Sequence, residues 1–152
     1  MEDTDVMIES KGVTKSFPLG GGREIEVLHG IDMIVPAGKL TILKGRSGSG
    51  KTTLLNLLSA LDRPTQGQIY WGDKEIGKAT EQERECLRRK DMGFVFQTVA
   101  LIPVMNAYEN VDFGLRLAQT TEKREERVRE CLELVGLKNR MNHMPGEMSG
   151  GE

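Results

Sequence analysis

The chain has 152 residues, of which 38% are hydrophobic and 29% charged, enough for a domain with its own core. A formal net charge of -2 gives neither a basic footprint for nucleic acid nor an acidic tail. No run reaches the ~18 apolar residues of a bilayer span, and the acidic start MEDTDVMIES lacks the apolar stretch of a signal peptide, so the sequence reads as a cytosolic protein that meets membranes only through a partner.

Met7, Ile8, Val13 and Phe17 alternate in strand fashion. The turn Gly20-Gly21-Gly22 separates them from a second β-like run, Ile25 to Val35. After the turn Pro36-Ala37-Gly38, the apolar run Leu40-Thr41-Ile42-Leu43 predicts a short buried strand. Thr52 to Leu61 predicts a largely buried helix ended by Pro64. Leu54, Leu57, Leu58 and Leu61 share one face, and Leu55 widens it. Gln68 to Trp71 reads as a strand followed by the turn Gly72-Asp73. Thr80 and Glu83 form a capping box that opens a charged helix to about Arg89, with Arg88-Arg89 as a solvated face. Met92 to Phe96 predicts another short buried strand.

Beyond that point the pattern turns helical. Asn106 with Glu109 starts a helix whose face is Tyr108, Val111, Leu115 and Ala118. A second runs from about Glu122 to Val135, with Val128, Cys131, Leu132 and Val135 on one side and Glu125 spaced to pair with Arg129. A boundary near Gln97 therefore divides a mixed α/β part, residues 1–97, from a helical part, residues 98–152. Cys86 and Cys131 have no metal or redox spacing and read as free thiols; His29 and His143 read as surface residues.

Residues 45 to 52 read Gly45-Arg46-Ser47-Gly48-Ser49-Gly50-Lys51-Thr52, the pattern G-x-x-x-x-G-K-[ST]. Glycines let successive backbone N–H groups wrap an anion, and the helix that follows aims its N-terminal dipole at the same charge. Lys51 supplies a full positive charge near the outer phosphates, and the Thr52 hydroxyl suits Mg2+; Thr53 belongs to the same site. The loop predicts a nucleotide-binding site, without deciding among kinases, GTPases, helicases and transporters.

Three further stretches narrow the choice. SGSGKTTLLNLLSALDRPTQGQI (residues 47 to 69), GFVFQ (93 to 97) and MSGGE (148 to 152) resemble, in order and spacing, the phosphate-loop region, the Q-loop strand and the signature motif of the ATP-binding cassette family. The resemblance covers essentially the whole chain. It implies an α/β fold: a P-loop NTPase core of ABC type with an N-terminal antiparallel β subdomain and an α-helical subdomain. It also implies ATP and Mg2+ as ligands. In the family, Gln97 would reach the Mg2+ and attacking water, and Ser149-Gly150-Gly151 would touch the γ-phosphate held by a second copy. Phe17 matches the aromatic that stacks on adenine, without the hydroxyl of the commoner tyrosine; a core phenylalanine is the alternative. Met148 replaces the usual leucine, and Glu152 stands where glutamine is commoner.

The implied partners are a second nucleotide-binding subunit, as a homodimer, and a membrane permease at the cytoplasmic face of the plasma (inner) membrane, with no nucleic acid. The apolar run Val99 to Met105 reads either as a buried linker or as the docking groove for a short permease helix. LSALDRPTQG and the stretch from GFVFQ to NAYENV resemble the exporter group of lipoprotein-release, macrolide-export and antimicrobial-peptide-resistance systems. Family members carry the Walker B aspartate, catalytic glutamate and switch histidine after the signature motif, where this sequence ends. Neither Asp62 nor Asp32 stands in their place. The reading is therefore a fragment lacking part of its sheet, which binds ATP weakly without turning it over and is poorly stable alone. A non-transport ABC-type ATPase and an inactive remnant are the alternatives.

Overall fold

A computed structural model describes residues 5–96 and 100–152, which form two compact units, Met1–Met92 and Gly93–Glu152. The first opens on a long antiparallel hairpin, β1 (Val6–Gly20) and β2 (Arg23–Pro36). Three successive glycines at positive φ, Gly20, Gly21 and Gly22, turn it, a conformation that costs other L-residues about 1–2 kcal/mol each. β3 (Gln66–Trp71) pairs antiparallel with the other edge of β1, and the short β4 (Lys74–Glu75) pairs with β3, giving the order β2-β1-β3-β4.

Helix α1 (Lys51–Leu58) packs Leu54, Leu57 and Leu58 against Val13, Leu28 and Ile69 of the sheet. It is shorter and less buried than its leucine pattern predicts: Leu55 and Leu61 stay exposed. Pro64 does not end it. The helix closes at Ala60, which takes a left-handed φ of 56°. The Leu61 N–H donates to Asn56 O and the Ala60 N–H to Leu57 O, the paired bonds of a Schellman closure. Two arginines of α2 (Glu81–Asp91) hold this closure. The Arg84 guanidinium, 3% exposed as a residue, donates to Ala60 O at 2.6 Å and Asp62 O at 2.9 Å, and Arg88 also donates to Ala60 O. Arg88 is thus a cap on the negative end of α1, not the solvated face expected of the Arg88-Arg89 pair. The capping box of α2 forms as expected, with the Thr80 N–H donating to Glu83 Oε2 at 2.7 Å.

The two predicted buried strands do not form. Residues 40–46 and 92–96 are irregular. Leu40 and Ile42 are 88% and 64% exposed, and Val95 and Phe96 are exposed as well. A short strand with two apolar faces is stable only between hydrogen-bonded neighbours, and among the described residues no strand pairs with either segment.

The second unit is helical. Asn106 caps α3 (Ala107–Leu117) through the expected box, with the Glu109 N–H donating to Asn106 Oδ1 at 2.9 Å and the Asn106 N–H to Glu109 Oε2 at 2.8 Å. α4 (Arg124–Leu134) packs Val128 and Leu132 against Ala107, Tyr108, Val111 and Leu115 of α3. Ala118 and Val135, placed on the inner faces by periodicity, are exposed because each lies just past the end of its helix. Arg129 does not pair with Glu125; its guanidinium sits 5.8 Å from the Tyr108 ring centroid, and Arg127 pairs with Glu130 instead. Both cysteines are free and half-buried. His29 is exposed beside Glu26, whereas His143 is half-buried with Nε2 3.1 Å from Arg140 Nη1. Among the described residues, no helix is long and apolar enough to cross a membrane.

One ion pair in the first unit predicts a pH dependence. Lys15 Nζ lies 2.8 Å from Asp62 Oδ2. Burial pushes the Asp62 carboxyl up, but hydrogen bonds from Lys15 and the Arg63 N–H outweigh it and hold it below the usual range. A folded-state value below the unfolded one, about 3.9, adds stability above that unfolded value. The contribution disappears as pH falls through the lower, folded one. The melting-temperature gap between the native chain and Asp62→Asn should therefore be widest near neutrality and narrow once pH falls below the unfolded value, about 3.9. A gap that stays constant across that range would rule the ion pair out as its source.

Candidate functional site

The loop after residue 44 is built from backbone. Gly48 and Gly50 take φ of 77° and 82°, in the left-handed region that glycine enters without strain. Gly50 carries a second constraint: a Cβ there would lie 2.7 Å from Leu28 Cδ2 and 3.1 Å from Val27 O. The loop is thus seated directly on β2. A Cβ on Gly45 would lie 2.7 Å from Ser49 Oγ, so the loop's first residue packs against its fifth.

Gly50 is also the N-cap of α1 and supplies no side-chain acceptor. The first-turn N–H groups of α1, normally satisfied by a capping side chain, are left to an external acceptor on the positive end of the helix dipole. Lys51 curls back over the loop, its Nζ donating to Gly45 O at 2.9 Å and Arg46 O at 2.6 Å. Ser47, Ser49 and Thr52 are exposed and Thr53 is half-buried. A concave run of amides with an ammonium over it and a hydroxyl beside it is chemically suited to a magnesium-bound polyphosphate. Lys51 and the amides of 48–53 would meet its oxygens, and the Thr52 hydroxyl is the ligand of suitable hardness for the cation.

The structure keeps Phe17 on β1 opposite Ile25, with 37% of the residue exposed; it is not a core phenylalanine. In the second unit, Ser149 is ordered by Glu152. The Ser149 N–H and hydroxyl both donate to Glu152 Oε2 at 2.9 Å, and Arg140 Nε lies 3.3 Å from Glu152 Oε1. The Ser149 N–H, then its hydroxyl and Arg140, hold the Glu152 carboxyl below the usual range. A serine tied to a glutamate three residues on is the pattern of a helix start. Gly150 and Gly151 are exposed, with nothing within 4 Å of where a Cβ would be, and Met148 packs on the α3–α4 core. Gln97 lies outside the described residues.

Sequence patterns missed two organising side chains. Asp62, set aside as a catalytic carboxylate, anchors Lys15. Asn110 pins the apolar segment before α3: its Oδ1 accepts from the Ile102 N–H at 2.8 Å, while Nδ2 donates to Ile102 O, Met105 O and Asn106 O. Leu101 and Val104, exposed by 44% and 78%, stand on that segment. The signal was a polar residue on the second turn of a helix that follows an apolar loop. Asn110→Ala is expected to speed amide exchange at Ile102 by about 10- to 100-fold, while Val111 and Leu115 keep their protection. Unchanged exchange at Ile102 would mean that Asn110 does not hold the segment.

The sequence profile of the family described as ABC transporter matches residues 28–152. The chain belongs to the ABC transporter family. Among ABC relatives, the lipoprotein-releasing system ATP-binding protein LolD of Acinetobacter baylyi is 40% identical over 97% of this chain and 65% of its own length. The macrolide export ATP-binding/permease protein MacB of Wolinella succinogenes is 40% identical over 96% of this chain and 23% of its own. A solved ABC cassette, a dimer in a post-hydrolysis state bound to ADP and Pi, superposes with a TM-score of 0.78 at 34% identity, covering 95% of this chain and 64% of that one. The fold is therefore the α/β ABC-type cassette, and the chain spans 64–65% of the length of the first ABC relatives and solved cassettes it matches.

Proposed function

We propose that this chain binds Mg·ATP at loop 45–52 and is the ATP-binding part of an ABC transporter subunit that couples ATP binding and hydrolysis to export. The observation that carries this reading is the loop itself. Two left-handed glycines and an N-terminus without a side-chain cap leave amides free for an anion. Over them sits an ammonium whose hydrogen bonds, among the described residues, go to neutral oxygens of the same loop. Phosphate oxygens are stronger acceptors for Lys51 than carbonyls, because the bond becomes charge-assisted on both sides. Bound Mg2+ neutralises charge between the outer phosphates; Thr52 and Gln97 are its proposed ligands.

In this reading residues 1–97 form the nucleotide-binding α/β part, with Gly45, Ser47, Gly48, Ser49, Gly50, Lys51, Thr52 and Thr53 on the phosphates and Phe17 on the base. Residues 98–152 form the helical part. Its Ser149, Gly150 and Gly151 serve the nucleotide of a second copy, a role supported by the ordered Ser149 and by the dimeric relative with ADP and Pi. The exposed segment carrying Leu101 and Val104 is the contact for a membrane permease. Relatives named as ATP-binding/permease proteins support that partner, and in this reading the chain works on the cytoplasmic face of the membrane. Export is the direction shared by the macrolide and pyoverdine relatives.

The test is calorimetric titration of the chain with Mg·ATP and, separately, with magnesium tripolyphosphate. Saturable binding of both, each displacing the other, is expected. Absence of binding by either would reject the phosphate-loop reading.

A further inference from the structure

Phe17 is backed by a cation. Lys15 Nζ lies 5.0 Å from the centroid of the Phe17 ring. The same ammonium pairs with Asp62 at 2.8 Å and donates to Arg63 O at 2.7 Å. Only 12% of the Lys15 side chain is exposed, while Phe17 keeps 37%. A surface lysine keeps its head in water; this one has given most of its hydration for a carboxylate, a carbonyl and a ring face.

The two oxygens come from the segment that follows α1, and that segment is sewn to β1 around Lys15. The Thr65 N–H donates to Thr14 O, and the Ser16 N–H donates to Thr65 Oγ1, each at 2.9 Å. From the far side Arg84 holds Asp62 O. At the other end of α1, Gly50 packs on Leu28, and Leu28 is the β2 partner of Lys15. Phe17 is two residues further along β1, roughly 7 Å at strand spacing. The ring is thus referenced to both ends of the helix that carries the phosphate loop.

We propose that Lys15, fixed by Asp62 and Arg63, is a positioning residue for the nucleotide base: it covers one face of the Phe17 ring and presents the other to a purine. The inference rests on the reading of loop 45–52 as a triphosphate cradle and of Phe17 as the base platform. A ring with a cation on one face stacks a base on the other only. The cation also draws density from the ring, which favours an electron-rich purine opposite.

The experiment titrates the chain and its variants with Mg·ATP and with magnesium tripolyphosphate, which has the phosphates but no base. Lys15→Met keeps the stem and removes the charge; Lys15→Arg keeps a cation. Lys15→Met is expected to weaken Mg·ATP by about 3- to 30-fold and to leave tripolyphosphate within roughly twofold. Lys15→Arg should recover most of the loss. In a Phe17→Ala background Lys15→Met should add no further loss, a non-additivity that a purely structural lysine would not show. Unchanged ATP affinity in Lys15→Met, equal losses for both probes, or additive losses with Phe17→Ala would each overturn the proposal. A native chain that binds tripolyphosphate while Lys15→Met leaves ATP unaffected sinks this inference alone. A native chain that binds neither probe sinks the phosphate-loop reading and this one with it.

Discussion

Lys51→Ala is expected to weaken Mg·ATP binding by about 10- to 150-fold, the cost of losing a hydrogen bond between charged groups in a preformed site. In the structure the Lys51 ammonium bridges Gly45 O and Arg46 O, so its position over the loop is set before any ligand arrives. Alanine removes the only full charge placed there by these bonds, but leaves the backbone amides and the glycine turns. Helix α1 should survive, because its burial rests on Leu54, Leu57 and Leu58, while the Lys51 side chain turns back over the loop. The loss should be nearly the same for magnesium tripolyphosphate as for Mg·ATP, since Lys51 serves phosphates and not the base. Calorimetric titration reads both. A loss below about threefold, well short of one charged hydrogen bond, would mean that Lys51 does not meet the phosphates.

The second large effect concerns stability. Gly67→Ala is expected to lower the unfolding free energy by about 3 kcal/mol or more, through strain and a backbone collision together. Gly67 has φ of 86°, and a Cβ there would lie 2.6 Å from both Gly12 C and Lys11 O, and nearer still to Gly12 O. These are backbone atoms of β1, so no side-chain rotation relieves the contact. The strands must part where β1 and β3 shift register, between Lys11 and Thr14. Gly72→Ala is the control. Gly72 also has positive φ, but nothing lies within 4 Å of its Cβ position, so only about 1–2 kcal/mol of strain is expected. Urea denaturation of the two variants separates collision from strain. Equal costs would show that the close approach of β3 to β1 contributes nothing.

Both effects centre on glycines and a lysine that are readable in the chain, yet their reasons differ. The glycine turns of loop 45–52 were legible because they are local. Donors, turn and helix start are consecutive residues, and spacing alone specifies them. The capping boxes at Thr80–Glu83 and Asn106–Glu109 were legible for the same reason, each being a contact across three residues. The strands expected at 40–43 and 92–96 were not decided by local pattern. Their apolar residues describe a preference for burial between neighbours, and the described residues supply no neighbour for either. Arg88 reads as solvated in a helical projection, because nothing in that projection reveals the end of α1 beside it.

By itself the sequence determined the hairpin turn at Gly20–Gly22, helices α1 to α4 to within a turn, the glycine-rich loop at 45–52, and the order of motifs that places the chain in its family. All of these depend on residues a few positions apart. Tertiary structure alone decided that Gly50 must be glycine because β2 lies behind it, that α1 closes at Ala60 under two arginines, and that Asn110 holds the segment before α3. It alone also placed Lys15 over the Phe17 ring and Asp62 against Lys15. Each of these joins residues brought together only when the elements pack. Close approach, burial and charge pairing at such range depend on geometry that no spacing along the chain encodes.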